Sequence, residues 1–351
     1  MRQSRILRAL AGLLIAGLFV FFAFRGISFS SLLHDALRAN YLILTIATLV
    51  VLFSHFLRAL RWRVILQEVK GDISLVDTWG SIMVGYLVNN FIPRLGEIVR
   101  AYTTGRLEKI SVSSVIGTIV LERLFDMLSA GILFGLALFM YHGDLTASFP
   151  FLRIAGIILV AGSIILGGIL YIASISEKVQ NILLKIVESI LPRKIAHKAE
   201  SIILSFLESF KILRSGKRLG LIAFYTALIW IAYIYSMYIP FFAFGFGARL
   251  HLTLYDAFLL ILVTTIAWII PSPGATGVYH LFVSEALVVI SGVPKVEALA
   301  YATLTQLFSY VAITIVGTIF AIIFTQRLRV KSIGKLVDAG EEVAQREKGK
   351  K

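Results

Sequence analysis

The sequence predicts an all-α polytopic membrane helix bundle, with six full spans plus two broken or re-entrant helical hairpins. Three observations carry this expectation. First, 58% of the 351 residues are hydrophobic and 15% are charged, with a mean hydropathy of +0.88; a soluble domain carries about 25% charged residues. Second, the apolar residues fall in blocks comparable to the roughly 20 residues that a helix needs to cross a hydrocarbon core. Third, Lys and Arg gather between those blocks, as the positive-inside rule expects of cytoplasmic loops.

Residues 1–8 (MRQSRILR) are basic, and an apolar block runs on to Phe24. The block has no A-x-A-like cleavage site and is longer than a signal-peptide core. It reads as a first span with a cytoplasmic N-terminus. The connection 25–40 fits the outer side, and a second span, 41–57, returns to Arg58, Arg61 and Arg63, a basic cluster that marks the cytoplasm.

The block 79–92 is short, is interrupted by Gly85, Asn89 and Asn90, and ends at Pro93. Arg94, Arg100, Arg106 and Lys109 follow. Basic flanks on both sides imply a segment that enters and leaves by one face. Such backbone is tolerated at membrane depth only where protein or a water-filled cavity covers it. A long helix, 111–141, then carries Glu122, Arg123 and Asp126 inside an apolar run. The turn 141–150 lacks Lys and Arg and is expected outside, with 151–173 returning.

Between 176 and 218 basic residues alternate with apolar ones. Val179, Ile182, Leu183, Ile186, Val187 and Ile190 recur at steps of three and four, the period of an amphipathic helix. With basic flanks it suits the inner membrane surface. A span at 219–241 leads to a polar turn around His251. The second hairpin comprises 255–270 and 280–290, broken by Pro271-Ser-Pro273-Gly274-Ala-Thr-Gly277. The last span, 296–324, reaches a basic tail, 326–351, so 1–325 forms one transmembrane domain in the cell membrane with both termini cytoplasmic.

Two stretches echo each other: Asp77 precedes Pro93-Arg-Leu-Gly96, and Asp256 precedes Pro271-Ser-Pro-Gly274, each by about fifteen residues. If the two enter from opposite faces, they form an inverted repeat, and in transporters the substrate sits where such broken elements meet. Pro–Gly breaks also punctuate ordinary membrane helices, so the echo alone leaves both readings open.

The charge pattern narrows the chemistry. There is no cysteine, and the six histidines form no HxxxH pair, so no metal centre and no cofactor is expected. The net charge of +14 follows from loops that face an anionic leaflet and needs no nucleic-acid partner. In Pro93-Arg94-Leu-Gly96-Glu97-Ile-Val-Arg100 the proline suits a first helical turn. Arg94, Glu97 and Arg100 would then share one face. Two guanidiniums there could grip a lipid phosphate bidentately with Glu97 orienting them, or could snorkel to the interface.

Glu122 lies on the order of 16 Å along a helix from Ser111, close to the bilayer midplane, where unpaired charge is costly. Glu122, Arg123 and Asp126 form either a closed structural ion-pair network or, with Asn89 and Glu97, a supporting polar network that holds Arg94 and Arg100, and the two readings are compatible. Around the second break, Ser272, Thr276, Tyr279 and His280 with the N–H groups near Gly274 and Gly277 form either a second site for an anionic head group or a packing kink.

These motifs resemble the transmembrane region of the lysylphosphatidylglycerol synthase family, also called flippase-like domain proteins. The likeness rests on Asn89, Pro93, Arg94, Gly96-Glu97 and Arg100, on Glu122-Arg123-x-x-Asp126, and on Pro271-x-Pro273-Gly274-x-x-Gly277-Val278. It covers most of residues 5–330. The family's last motif usually reads P-x-P-G-G-x-G-V-x-E; here Ala275 stands for the second Gly and His280 for the Glu. The resemblance implies the membrane half without an aminoacyl-transferase domain. The expected function is therefore non-enzymatic binding or translocation of an anionic lipid or lipid-linked precursor. An intramembrane head-group transferase using His280 or Glu97 as base is one alternative. A scaffold subunit that pairs with a membrane partner or with its own copies is another.

Overall fold

A computed structural model describes residues 2–140, 151–190 and 193–328. The expected external turn at 141–150 and the tail from 329 lie outside them. Every described regular element is helical: α1 (Arg2–Phe24), α2 (Phe29–Arg38), α3 (Tyr41–Leu66), α4 (Leu75–Phe91), α5 (Gly96–Glu108), α6 (Val112–Met140) and α7 (Phe151–Ile175). Then come α8 (Glu177–Ile190), α9 (Arg193–Glu208), a 3-10 turn (Ser209–Arg214), α10 (Gly216–Ala243), α11 (Phe246–Leu250) and α12 (Leu254–Ala267). A short 3-10 turn (Pro273–Ala275), α13 (Val278–Ser291) and α14 (Lys295–Arg327) complete the series.

By length and composition α3, α10, α14 and the segment Pro273–Ser291 can each cross a membrane. Two bent pairs, Leu13–Phe24 with Phe29–Arg38 (86°) and Val160–Ile175 with Glu177–Lys185 (95°), raise the number to six if each is one span. The chain is a polytopic helical membrane bundle. The roster differs from the expectation at two places. Helix α6 has 29 residues but carries three charges at its middle, whereas the second half of the second hairpin is itself long and apolar enough to cross.

Other boundaries differ for local reasons. The connection 25–40 contains a helix, α2, because Ser28 caps it by accepting from the Ser31 N–H and Leu32 packs into a cluster with Ala23, Leu299 and Ala300. Helix α3 does not stop at Leu57 but runs to Leu66, so Arg58, Arg61 and Arg63 stand on a helix and not in a loop. The turn around His251 contains the short α11. The amphipathic period at 177–190 is a helix, α8, leaving the α7 axis nearly at a right angle.

The echo extends to the element series. A long helix, a short helix, a break, a second short helix and a long helix occur as α3, α4, α5, α6. The same order recurs as α10, α12, α13, α14 with α11 inserted. Each echoed Asp opens the first short helix. The Asp77 N–H donates to Ser74 Oγ at 3.2 Å, and Asp256 forms a capping box with Thr253. A carboxylate in a first turn also complements the helix dipole. Each second short helix ends on a left-handed residue, Lys109 (φ 56) or Gly292 (φ 64).

The chain divides into two compact units. Unit one comprises residues 1–56, 86–96 and 228–318; unit two comprises 57–85, 97–227 and 319–351. In unit one α12 packs on α13, and α1 packs across α13. Gly277 permits that crossing: a Cβ there would lie 2.4 Å from the Ala16 carbonyl oxygen. In unit two α6 packs on α7 and α9, with Gly117 against the Phe206 carbonyl, 2.5 Å from where a Cβ would stand.

Candidate functional site

Unit two holds a buried ion network. Arg58, Arg61 and Trp62 on α3, at helical spacings of three and four, share a face. So do Glu122 and Asp126 on α6 and Glu97 and Arg100 on α5. Arg58 donates to Glu122 Oε1 through Nε at 2.9 Å and to Asp126 Oδ2 through Nη2 at 2.7 Å. Arg61 reaches Asp126 Oδ1 at 2.5 Å and Glu122 Oε1 at 3.3 Å, and donates to Thr226 Oγ1 at 3.1 Å. Arg100 donates to Glu122 Oε2 at 2.6 Å, with its guanidinium carbon 3.5 Å from the Trp62 ring centre. Trp62 is fixed in turn by Nε1 donating to Thr118 Oγ1 at 3.0 Å.

Glu122 thus receives three guanidiniums while its side chain is 1% exposed, and Arg61 is fully buried. Ions so placed persist only when partners replace their water. The predicted network of Glu122 and Asp126 is present, but its main cations are Arg58 and Arg61, which by charge pattern alone mark a cytoplasmic boundary. The available signal was their spacing: a step of three residues, like the step of four between the acids, keeps both side chains on one helix face. Arg123 sits at the rim, 44% exposed, donating to Glu97 Oε1 at 2.9 Å. Glu97 therefore orients Arg123 and does not orient the Arg94–Arg100 pair.

The expectation that Arg94 and Arg100 share one helix face is also corrected. Arg94 is not on α5: the helix begins at Gly96, and Arg94 has φ 67, so Pro93 opens a break and not a first turn. Arg100 is spent on Glu122 and Trp62 in unit two. Arg94 belongs to unit one, where its Nη2 donates to the Ile269 carbonyl at 2.5 Å.

That bond joins the two breaks within unit one. Asn89 spans the first break, its Oδ1 accepting from the Gly96 N–H at 2.7 Å, which caps the start of α5. Asn90 donates to Thr314 Oγ1 at 3.1 Å, and its Oδ1 lies 3.3 Å from where a Cβ on Gly274 would stand. Gln306 of α14 donates to the Gly274 carbonyl at 2.6 Å, and the Tyr310 hydroxyl reaches the Asn90 carbonyl at 3.4 Å. Gln306, Tyr310 and Thr314 were absent from the expected site; their trace in the sequence was polarity inside the last apolar block.

The other second-motif residues divide. Ser272 is buried at the break. Tyr279 points into the core, its hydroxyl 3.1 Å from Thr305 Oγ1. His280 accepts from the Gly277 N–H through Nδ1 at 3.3 Å, the third-position half of a capping box. A neutral imidazole thus supplies the acceptor that a Glu would supply there. The Thr276 N–H bonds the Pro273 carbonyl at 2.9 Å, which closes the turn. Among the described residues no group of His, Cys, Asp or Glu could hold a metal ion.

Comparison with known proteins agrees with this architecture. A membrane protein of the UPF0104 group from Pyrococcus horikoshii is 26% identical over 82% of this chain and 88% of its own length. A second UPF0104 membrane protein, from Methanothermobacter thermautotrophicus, is 24% identical over 87% of this chain and 92% of its own. The glycosyltransferase AglD of Haloferax volcanii is 23% identical over 99% of this chain, which spans 58% of that relative. No solved structure matches. The profile of the lysylphosphatidylglycerol synthase TM region matches residues 9–317, and the chain belongs to that family.

Proposed function

We propose that this protein binds an anionic lipid or lipid-linked precursor and moves it across the cell membrane without covalent chemistry. The observation that carries the reading is the Arg94–Ile269 bond. It sets a charged guanidinium where two interrupted helices meet, and transporters with repeated halves use such places to hold substrate. The guanidinium offers five N–H donors in a planar fork, so one carbonyl leaves donors for a phosphate. The arginines of the buried network around Glu122 already hold carboxylates, so that network is not assigned to the substrate. The family supports a lipid-related role in the membrane, and the finer assignment to translocation rests on the apposed breaks.

The test is lipid retention and scrambling by the purified chain in vesicles containing labelled phosphatidylglycerol. Arg94→Lys keeps the charge and loses the fork; it should fold normally yet retain and move less lipid. A wild-type protein that neither retains nor moves anionic lipid would overturn the reading. On this reading both termini and the 176–218 segment face the cytoplasm, and 141–150 faces out. A thiol introduced at Leu145, in a chain without cysteine, should react with an impermeant reagent in intact cells. Labelling only after lysis refutes that orientation.

The name of the Haloferax relative favours a second reading, an intramembrane transferase. It requires a base near the lipid phosphate. The His280 Nδ1 is taken up by the Gly277 N–H, which weighs against His280 as that base, and Glu97 holds Arg123 through Oε1.

A further inference from the structure

Helix α2 of unit one presents three separate faces. Consecutive residues step about 100° around a helix, so Leu32, Leu33 and His34 each stand on a different one. Leu32 and Ala39 are buried against Leu299, Ala300 and Leu304 of α14 and Ala243 of α10. Phe29, Leu33 and Leu37 form a strip at steps of four that points out of the protein, 76%, 45% and 64% exposed. Beside it Ser30, His34 and Arg38, again at steps of four, form an exposed polar strip.

The path of the chain sets the direction of this helix. Helix α1 has 23 residues, about 35 Å of helix, which is enough alone for a hydrocarbon core of about 30 Å. The chain then turns through Gly26, at φ 77, and α2 leaves the Leu13–Phe24 axis at 86°. Its ten residues make a rod of about 15 Å that advances only about 1 Å along that axis. It adds nothing to the crossing. Helix α3, itself long and apolar enough to cross, begins directly afterwards, its first turn capped by Asn40 Oδ1 accepting from the Leu42 and Ile43 N–H groups. The Asn40 N–H donates to the Ala243 carbonyl at 3.0 Å, which ties the junction to α10. Helix α2 therefore bridges the ends of two spans, where hydrocarbon gives way to water.

The same position identifies what covers the apolar strip. Three side chains on ten residues are far short of the roughly 800 Å² per partner that a stable protein interface buries. The strip is flanked in the chain by exposed apolar residues of the adjoining spans, Leu18, Phe21 and Phe22 before it and Leu42, Ile46 and Leu49 after it. An apolar strip beside a polar one, on a helix at right angles to a span, suits the boundary between head groups and acyl chains. The helix is also held on its charged side, since Arg249 of α11, which pairs with Glu297, is drawn to Asp35 as well.

We infer that α2 is a membrane-interface helix. It lies along the bilayer surface opposite the N-terminus, with Phe29, Leu33 and Leu37 in the acyl boundary and His34 and Arg38 among the head groups. This holds whatever the protein carries, so it stands or falls apart from the translocation reading.

The chain has no cysteine, so single nitroxide labels can be placed through Phe29→Cys, Leu33→Cys, Leu37→Cys and His34→Cys, all at exposed positions. The full-length protein is reconstituted in phosphatidylcholine–phosphatidylglycerol vesicles. Collisions of each label with oxygen, which favours hydrocarbon, and with a water-soluble nickel chelate give its depth by electron paramagnetic resonance. The labels at 29, 33 and 37 should share one depth, about 5–10 Å below the phosphates, and the label at 34 should meet the chelate. Any two of the three apolar positions define the slope, so one poorly folding variant does not blunt the test.

Three results would overturn the inference. A depth that changes by about 12 Å between positions 29 and 37 would make α2 the continuation of a span. Free access of the chelate to all four labels would put the helix in water. Closure of the strip to both reagents would mean that protein, such as a second copy of this chain, covers it.

Discussion

The Arg100 guanidinium sits over Trp62, its carbon 3.5 Å from the ring centre, while its Nη2 donates to Glu122 at 2.6 Å. One side chain thus stacks on α3 and bonds α6 from a base on α5. Planarity makes both contacts available at once, which a lysine ammonium cannot reproduce. The arginine clamps three helices of unit two.

Arg100→Lys is expected to lower thermal stability in detergent despite the conserved charge. The stacking is worth about 0.5–2 kcal/mol, and a weakened buried ion pair adds to that. Arg106→Lys, on the exposed side of the same helix, should leave stability unchanged within about 0.5 kcal/mol. Equal melting curves for both variants would show that Arg100 is only a point charge.

The other arginines should rank by burial and not by motif. Arg123 belongs to the recognisable Glu-Arg-x-x-Asp motif, yet its side chain is 44% exposed. Exposed pairs contribute about 0.2–1 kcal/mol, so Arg123→Ala should be mild. Arg61 is fully buried and meets Asp126, Glu122 and Thr226. Arg61→Met leaves part of that buried negative charge uncompensated, at a cost of about 3–5 kcal/mol. Expression and monodispersity of the two variants measure the difference, and the reverse order would mean that the network is held from its rim.

The same contrast explains how much of the molecule was legible. Hydropathy and loop charge gave the helical membrane class, because each apolar block must find the bilayer wherever its neighbours lie. Pro93 and Pro271 marked the two breaks because proline acts locally. Glu122 and Asp126 were recognisable because charge inside an apolar run is rare. Their partners were not, since Arg58 and Arg61 stand at the end of an apolar block, where topology and pairing predict the same residue type. Long-range relations such as Arg94 to Ile269 and Gln306 to Gly274 have no local signature at all. Asn89 was identified as part of a polar network, but its action is local, capping α5 across the break.

The breaks themselves can be tested by two substitutions at adjacent positions with opposite expected signs. Gly274 has φ 54, and a Cβ there would lie 2.7 Å from Tyr310 Cε2 and 3.3 Å from Asn90 Oδ1. Ala275 also has positive φ, at 56, and therefore carries a strain that glycine would relieve. Left-handed backbone costs an ordinary residue about 1–2 kcal/mol. Ala275→Gly is accordingly expected to raise the midpoint of thermal unfolding, less whatever the added freedom of the unfolded chain removes. Gly274→Ala meets both penalties, because the methyl group is strained by its own backbone and pushes Tyr310 away from Asn90. It should lower stability and disturb the contact between the two breaks, so lipid retention should fall with it. If Gly274→Ala melts and retains lipid like the parent, the two interrupted helices are not held together through Gly274.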